Sequence, residues 1–247
     1  MEHIYIGHGD FALFVDLIGA FFSGGGLPVP GAEGLIPLIL EGTNVFRPEQ
    51  CIEIGEEHPV GAAYLRDSYI GRGQAPLHIR EVNTGKVELA EHAVFTQDEL
   101  RDFLVRHTFQ QMMLWNRHGT TPKERKLHPD LAHLEFLLRF TKGTDRLVHS
   151  YSGFFDDLMR HTGLDAILRA KHAKHLFIFG LAGDFCVGYT ALHAAWLGYE
   201  VYMIDDWCAN IGLPPMDGRP GTIEAMDARL HEAGVRRISW QQLMRAT

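Results

Sequence analysis

The chain has little cysteine: three residues in 247, Cys51, Cys186 and Cys208. An odd, low count without regular spacing excludes a disulfide framework and fits a reducing compartment. Runs of lysine or arginine are missing, and the formal net charge is −8. Phosphate recognition needs clustered positive charge, so a nucleic-acid partner is not expected. Long apolar stretches are missing too: the longest reach about eight residues, against the ~20 that span a bilayer. The opening MEHIYIGHGDFALFVD carries no basic segment, so no signal peptide is expected and the cytoplasm is the expected compartment. Internal repeats and low-complexity segments are also lacking.

Against these absences stands an ordinary globular balance, 46% hydrophobic and 22% charged residues. Such a length suits a single domain, 1–247, with one sizeable core. Short apolar runs alternate with helix-period segments. Strands are expected at 11–15, 51–55, 136–141, 175–179, 200–204 and, as a last edge strand, 237–240. Helices are expected at 154–170, 186–197 and 223–233. Alternation of this kind predicts an α/β fold, a parallel β-sheet flanked by helices on both faces. The span 62–114 breaks the rhythm. It holds a hairpin candidate at 76–88 and a helix opened by a Thr96–Glu99 capping box, and it reads as a long insertion or lid.

In sheets of this class ligands sit at the carboxyl ends of the strands. Three chemistry-bearing residues fall there. Cys186 follows a strand and a small-residue turn and opens the next helix, where unpaired amides would favour its thiolate and could hold an oxyanion. A buried thiol packed as a small hydrophobe is the alternative. Asp16 ends an otherwise apolar strand, and Lys142 follows FLLRFT directly. Taken singly, these two read more readily as a capping aspartate and a surface lysine; their combination with the surrounding sequence points to chemistry instead. Cys51 and Cys208 lack such a setting and read as structural.

With their flanks, these positions resemble the nicotinamidase branch of the isochorismatase-like cysteine hydrolases. Four segments carry the likeness: DLIGAFFSGGGLPVPG from Asp16, KGTDRLVHSYSGFFD from Lys142, GLAGDFCV from Gly180, and the Trp-x-x-His and Leu-His-Pro-Asp of 115–130. The resemblance implies a catalytic triad of Asp16, Lys142 and Cys186. It also implies a cis Leu181–Ala182 peptide, with the amides of Ala182 and Cys186 as oxyanion hole. Glu56, standing where the family has Asp, would bind a divalent metal with His58 and His118. Zn²⁺ suits such a set, with Fe²⁺ and Mn²⁺ as alternatives. A further ligand position of the family falls near Tyr64. Phe21 and Trp115 fall where the family stacks aromatics on a substrate ring. Ile18 and Gly183 depart from the pattern.

The implied activity is hydrolysis of nicotinamide to nicotinate and ammonia through a cysteine thioester. Another small carboxamide is the nearest alternative, and a non-catalytic binding protein of the same fold is the alternative from a different class. Cleavage of a vinyl ether needs no cysteine nucleophile and fits less well. A phosphate loop at 23–26 is not supported, since no GK[ST] follows. The expected partner is a small-molecule amide, with neither membrane nor nucleic acid; self-association as a homo-oligomer stays open.

Overall fold

The computed structural model describes residues 3–60, 62, 64–65, 118–146, 148–215 and 220–245. In chain order the strands and α-helices are β1 (Ile4–Ile6), β2 (Asp10–Val15), α1 (Ala32–Gly42), β3 (Cys51–Glu56), β4 (Leu138–Lys142), α2 (Leu164–Ala170), β5 (His175–Leu181), α3 (Cys186–Trp196), β6 (Glu200–Ala209), α4 (Thr222–Glu232), β7 (Arg236–Ile238) and β8 (Leu243–Arg245). Six strands form a sheet in the order β4-β3-β2-β5-β6-β7, every pairing parallel. β1 and β8 pair as a separate parallel ribbon.

Alternation along the strands divides the core between the two faces of the sheet. Phe11, Leu13 and Val15 of β2 join Ile178 of β5 and Leu192 of α3 on one face. Ala12 and Phe14 of β2 join Phe177 and Phe179 of β5 and Ile39 of α1 on the other. Strands buried on both faces read as continuous apolar runs, which is why β2 and β5 stood out in the sequence. α2, α3 and α4 cover the first face and α1 the second, so the expected three-layer α/β arrangement is the one observed.

Chain order places β2, β3 and β4 successively outward on one side, and β5, β6 and β7 on the other. The direction reverses between β2 and β5, and a crevice opens at their carboxyl ends. The close approach there depends on Gly180 (φ 124°), because a Cβ at that position would lie 2.0 Å from the Val15 carbonyl oxygen.

Several expectations need correcting. The helix expected over 154–170 is confined to Leu164–Ala170. Its first half is diverted by local hydrogen bonding: Asp156 Oδ1 accepts from the amides of Leu158 and Arg160, and Thr162 Oγ1 donates to Gly153 O. Side chains of this kind compete with the helix for backbone groups. β4 starts two residues later than expected and includes Lys142 as its last residue. The edge strand is Arg236–Ile238, and it is not the last, since β8 follows it to pair with β1. Helix α1, which carries Pro37 in its interior, was not foreseen. The hairpin at 76–88 and the Thr96 capping box lie outside the described residues, as does 62–114 apart from residues 62, 64 and 65. Among the described residues no helix is long and apolar enough to cross a membrane.

Candidate active site

The strand ends bring the three predicted residues into contact. Asp16 follows the last residue of β2 in a left-handed conformation (φ 52°) that non-glycine residues adopt sparingly, held by its amide donating to Ile54 O at 2.7 Å. The turn drives its carboxylate into the crevice. Lys142 Nζ lies 2.9 Å from Asp16 Oδ2, 3.4 Å from Cys186 Sγ and 3.3 Å from Glu56 Oε2, and donates to Ser150 O at 3.2 Å. Asp16, Lys142 and Cys186 are all buried.

Around the sulfur, the Leu181–Ala182 peptide is cis. Phe185 and Val187 both donate their amides to Ala182 O, closing the turn before α3. Asp184 braces it by accepting from the amides of Ile211 and Gly212 and from Thr222 Oγ1. Thr190 Oγ1 donates to Cys186 O and accepts from the amide of Gly153, tying α3 to the loop after β4. Ala182 and Cys186 line one small cavity together with Phe21, Glu56, His118 and His149.

The charges in this cluster control one another. Burial pushes the Asp16 carboxyl up to about 7, against the opposing pull of Lys142. Burial and the carboxylates of Asp16 and Glu56 push the Cys186 thiol well above its ordinary range, and Lys142 only partly offsets them. The expectation of a resting thiolate is therefore corrected: burial first, and two nearby carboxylates with it, favour the protonated thiol. Burial opposes the charge on Lys142, but Asp16, Cys186 and Glu56 prevail and hold the amine well above its usual value. What results is a protonated thiol beside a carboxyl able to exchange protons near neutral pH.

The predicted metal donors gather next to this cluster. Glu56 Oε2 lies 3.1 Å from His58 Nε2, and Glu56 Oε1 lies 3.0 Å from His118 Nε2. Burial pushes the His58 imidazole down, toward its neutral form. Its Nδ1 lies 3.1 Å from Gly143 O, which can only accept, so the ring carries its proton there. Tyr64 falls on the same side, its hydroxyl donating to the carbonyls of Gly143 and Asp145; it supports His58 from behind instead of joining the donors. A Cβ on Gly143 (φ 70°) would lie 2.6 Å from His58 Cε1, so the ring is seated against bare backbone. With Nδ1 protonated, the Nε2 lone pair faces a carboxylate oxygen. Among the described residues neither His58 Nε2 nor Glu56 Oε1 has a directed hydrogen-bond partner. Lone pairs converging in a buried space fit a divalent cation.

Phe21 lies 5.6 Å, ring to ring, from His118 and lines the same cavity. Trp115 lies outside the described residues. Three features escaped sequence reasoning. Glu56 touches both histidines and Lys142, so one carboxylate joins the two halves of the site. His149 and Tyr151 face the cavity from the HSYS segment, whose histidine carried no spacing signal. Asp184 reads in sequence only as part of a turn.

A doubly wound α/β enzyme with a buried carboxylate–lysine–thiol cluster at its switch point is the class these features define. The chain belongs to the isochorismatase family: the model described as Isochorismatase domain matches residues 70–238. It is similar to the nicotinamidase of Escherichia coli K12, with 31% identity over 218 residues, 86% of this chain and 88% of that protein. Among solved structures it is similar to the Acinetobacter baumanii nicotinamidase pyrazinamidase, at 24% identity and a TM-score of 0.73, covering 95% of this chain and 98% of that one. It also shares its fold with the Pyrococcus horikoshii pyrazinamidase in complex with zinc, at 22% identity and a TM-score of 0.59, covering 94% and 99% of the two chains.

Proposed function

We propose that this chain hydrolyses nicotinamide to nicotinate and ammonia through a thioester on Cys186. The observation that carries the reading is Lys142 Nζ set between Asp16 and Cys186 at the switch point, in a chain 31% identical to a nicotinamidase.

On this reading Asp16 takes the thiol proton as sulfur attacks the amide carbon. The amides of Ala182 and Cys186, at either end of the turn, receive the oxyanion as it develops. Collapse breaks the C–N bond while Asp16 returns the proton to nitrogen, and ammonia leaves. Water, deprotonated by the same carboxylate, then attacks the thioester, and the carboxylic acid departs as the thiol re-forms. Lys142 keeps its charge throughout and holds the nucleophile and base in register. Because Asp16 sits near neutrality, it can take and return a proton at little cost in either direction.

Glu56, His58 and His118 are assigned to a divalent ion, Zn²⁺ first, with Fe²⁺ and Mn²⁺ as alternatives; zinc in the Pyrococcus horikoshii protein supports this. When bound, the ion supplies an electrophilic anchor for the lone pair of a ring nitrogen. Phe21, with Trp115, is assigned to the faces of the ring. The chain is read as one domain with 62–114 as an insertion, and its three free cysteines fit a reducing, cytoplasmic setting.

Ammonia release from a panel of small carboxamides, with and without chelator and with Cys186→Ala as control, tests the reading. Nicotinamide is expected to turn over fastest. Slow nicotinamide turnover beside fast turnover of another amide would replace the substrate and keep the chemistry, and activity surviving in Cys186→Ala would end the thioester reading.

A further inference from the structure

His149 lies in the loop after β4, and the proposed chemistry leaves it without a role. Donor atoms of Glu56, His58 and His149 lie within 4.8 Å of one another, and all three residues are buried. The His149 ring stands 5.2 Å from that of His58 and 4.8 Å from that of Tyr64, centroid to centroid. It also faces the cavity lined by Glu56, His118 and Cys186.

Behind the ring, Asp157 Oδ2 lies 3.7 Å from His149 Nδ1, and neither atom has a hydrogen-bond partner among the described residues. The Asp157 amide donates to His149 O at 2.9 Å, which fixes the two residues as a pair. Tyr151 packs against the ring edge-on, 4.3 Å between centroids. With Nδ1 turned to Asp157, Nε2 is the donor left for the cluster. A carboxylate behind one imidazole nitrogen is how proteins orient histidines that ligate through the other.

We propose that His149 is a fourth protein ligand of the metal centre, positioned by Asp157, so that the ion is held by one carboxylate and three imidazoles. This rests on the assignment of a metal to Glu56, His58 and His118 and adds to it. Imidazole suits zinc, copper, nickel and iron, whereas manganese and magnesium favour oxygen donors. The added nitrogen therefore biases the site toward late first-row ions and away from Mn²⁺.

Metal binding by the full chain, read apart from activity, provides the test. Stoichiometry by elemental analysis and affinity by chelator competition are measured for Zn²⁺, Co²⁺ and Mn²⁺, together with the visible spectrum of the Co²⁺ form. Wild type is expected to hold one ion per chain. His149→Ala is expected to weaken Zn²⁺ binding by about 100-fold or more, and to change the position and intensity of the Co²⁺ bands as one nitrogen leaves. Asp157→Asn is expected to weaken binding roughly 10-fold while keeping the wild-type type of spectrum, and it carries the comparison by itself if His149→Ala does not fold. Unchanged affinity and an unchanged Co²⁺ spectrum in both variants would overturn the proposal and leave a three-residue centre standing. A wild-type chain that takes up no divalent ion would overturn the metal assignment and this proposal together.

Discussion

The two halves of the pocket are built differently. The nucleophile half stands on the two central strands: Asp16 at the end of β2, Ala182 and Cys186 in the turn after β5. Leu181, Ala182, Asp184 and Cys186 are buried there, Phe185 is half-buried, and the turn is closed by short-range hydrogen bonds. The histidine half stands on β3 and on loops, drawing Glu56 and His58 from one segment, His118 from a second and His149 from a third. Its geometry depends on backbone carbonyls, a tyrosine hydroxyl and a glycine instead of a sheet register. Glu56 and Lys142 join the halves at 3.3 Å. A scaffold-built half can be read from local sequence; a loop-built half needs tertiary structure to assemble its donors.

This contrast predicts that the two halves fail differently. Cys186→Ala should lose amide hydrolysis by about 10⁴-fold or more, since positioning alone cannot replace a nucleophile. Ammonia release measures the loss, with near-ultraviolet circular dichroism confirming the fold. Next comes the joint between the halves. Lys142→Met removes the cation shared by Asp16, Glu56 and the thiol, leaving buried carboxylates without a counter-charge. Denaturant unfolding should register a loss of roughly 3–5 kcal/mol, most of it restored when Asp16→Asn is added.

The pH profile separates the halves again. With its carboxyl raised to about 7, Asp16 is protonated below that value and cannot act as base. The rate constant kcat/KM should therefore fall about tenfold per pH unit below about 7 and level off above it. A profile flat down to pH 5 would show that the titrating base is another group. The mildest effect belongs to the histidine half. Chelation should raise KM roughly tenfold with a smaller change in kcat, and Zn²⁺ add-back should reverse it; an equal fall in kcat and kcat/KM would instead place the ion on the reacting atoms.

Much of the fold was legible because β2, β3, β5 and β6 are short apolar runs, and their alternation with α3 and α4 follows from burial on both faces of the sheet. α1 was not legible, since Pro37 interrupts its pattern. The diverted turn at 154–163 was not legible either, since its helix-like spacing hides Asp156 and Thr162 bonding to nearby backbone. In the site, Asp16, Lys142 and Cys186 were visible because each ends a strand or opens a helix. The protonated state of Cys186 was not, because it depends on burial in the folded chain and on two carboxylates from other strands. His149 was invisible for a related reason. Nothing at its position in sequence says that Asp157 stands behind it or that His58 stands in front.

The most direct measurement is capture of the acyl group. Nicotinamide is turned over in the presence of hydroxylamine, and the reaction is followed both for the hydroxamate and, after acid quench, for a nicotinoyl group on the Cys186 peptide by mass spectrometry. Hydroxamate formed at the expense of nicotinate, with the label on Cys186 and none in Cys186→Ala, is the predicted result. Nicotinate formed at full rate with no hydroxamate and no labelled cysteine would contradict a thioester at Cys186.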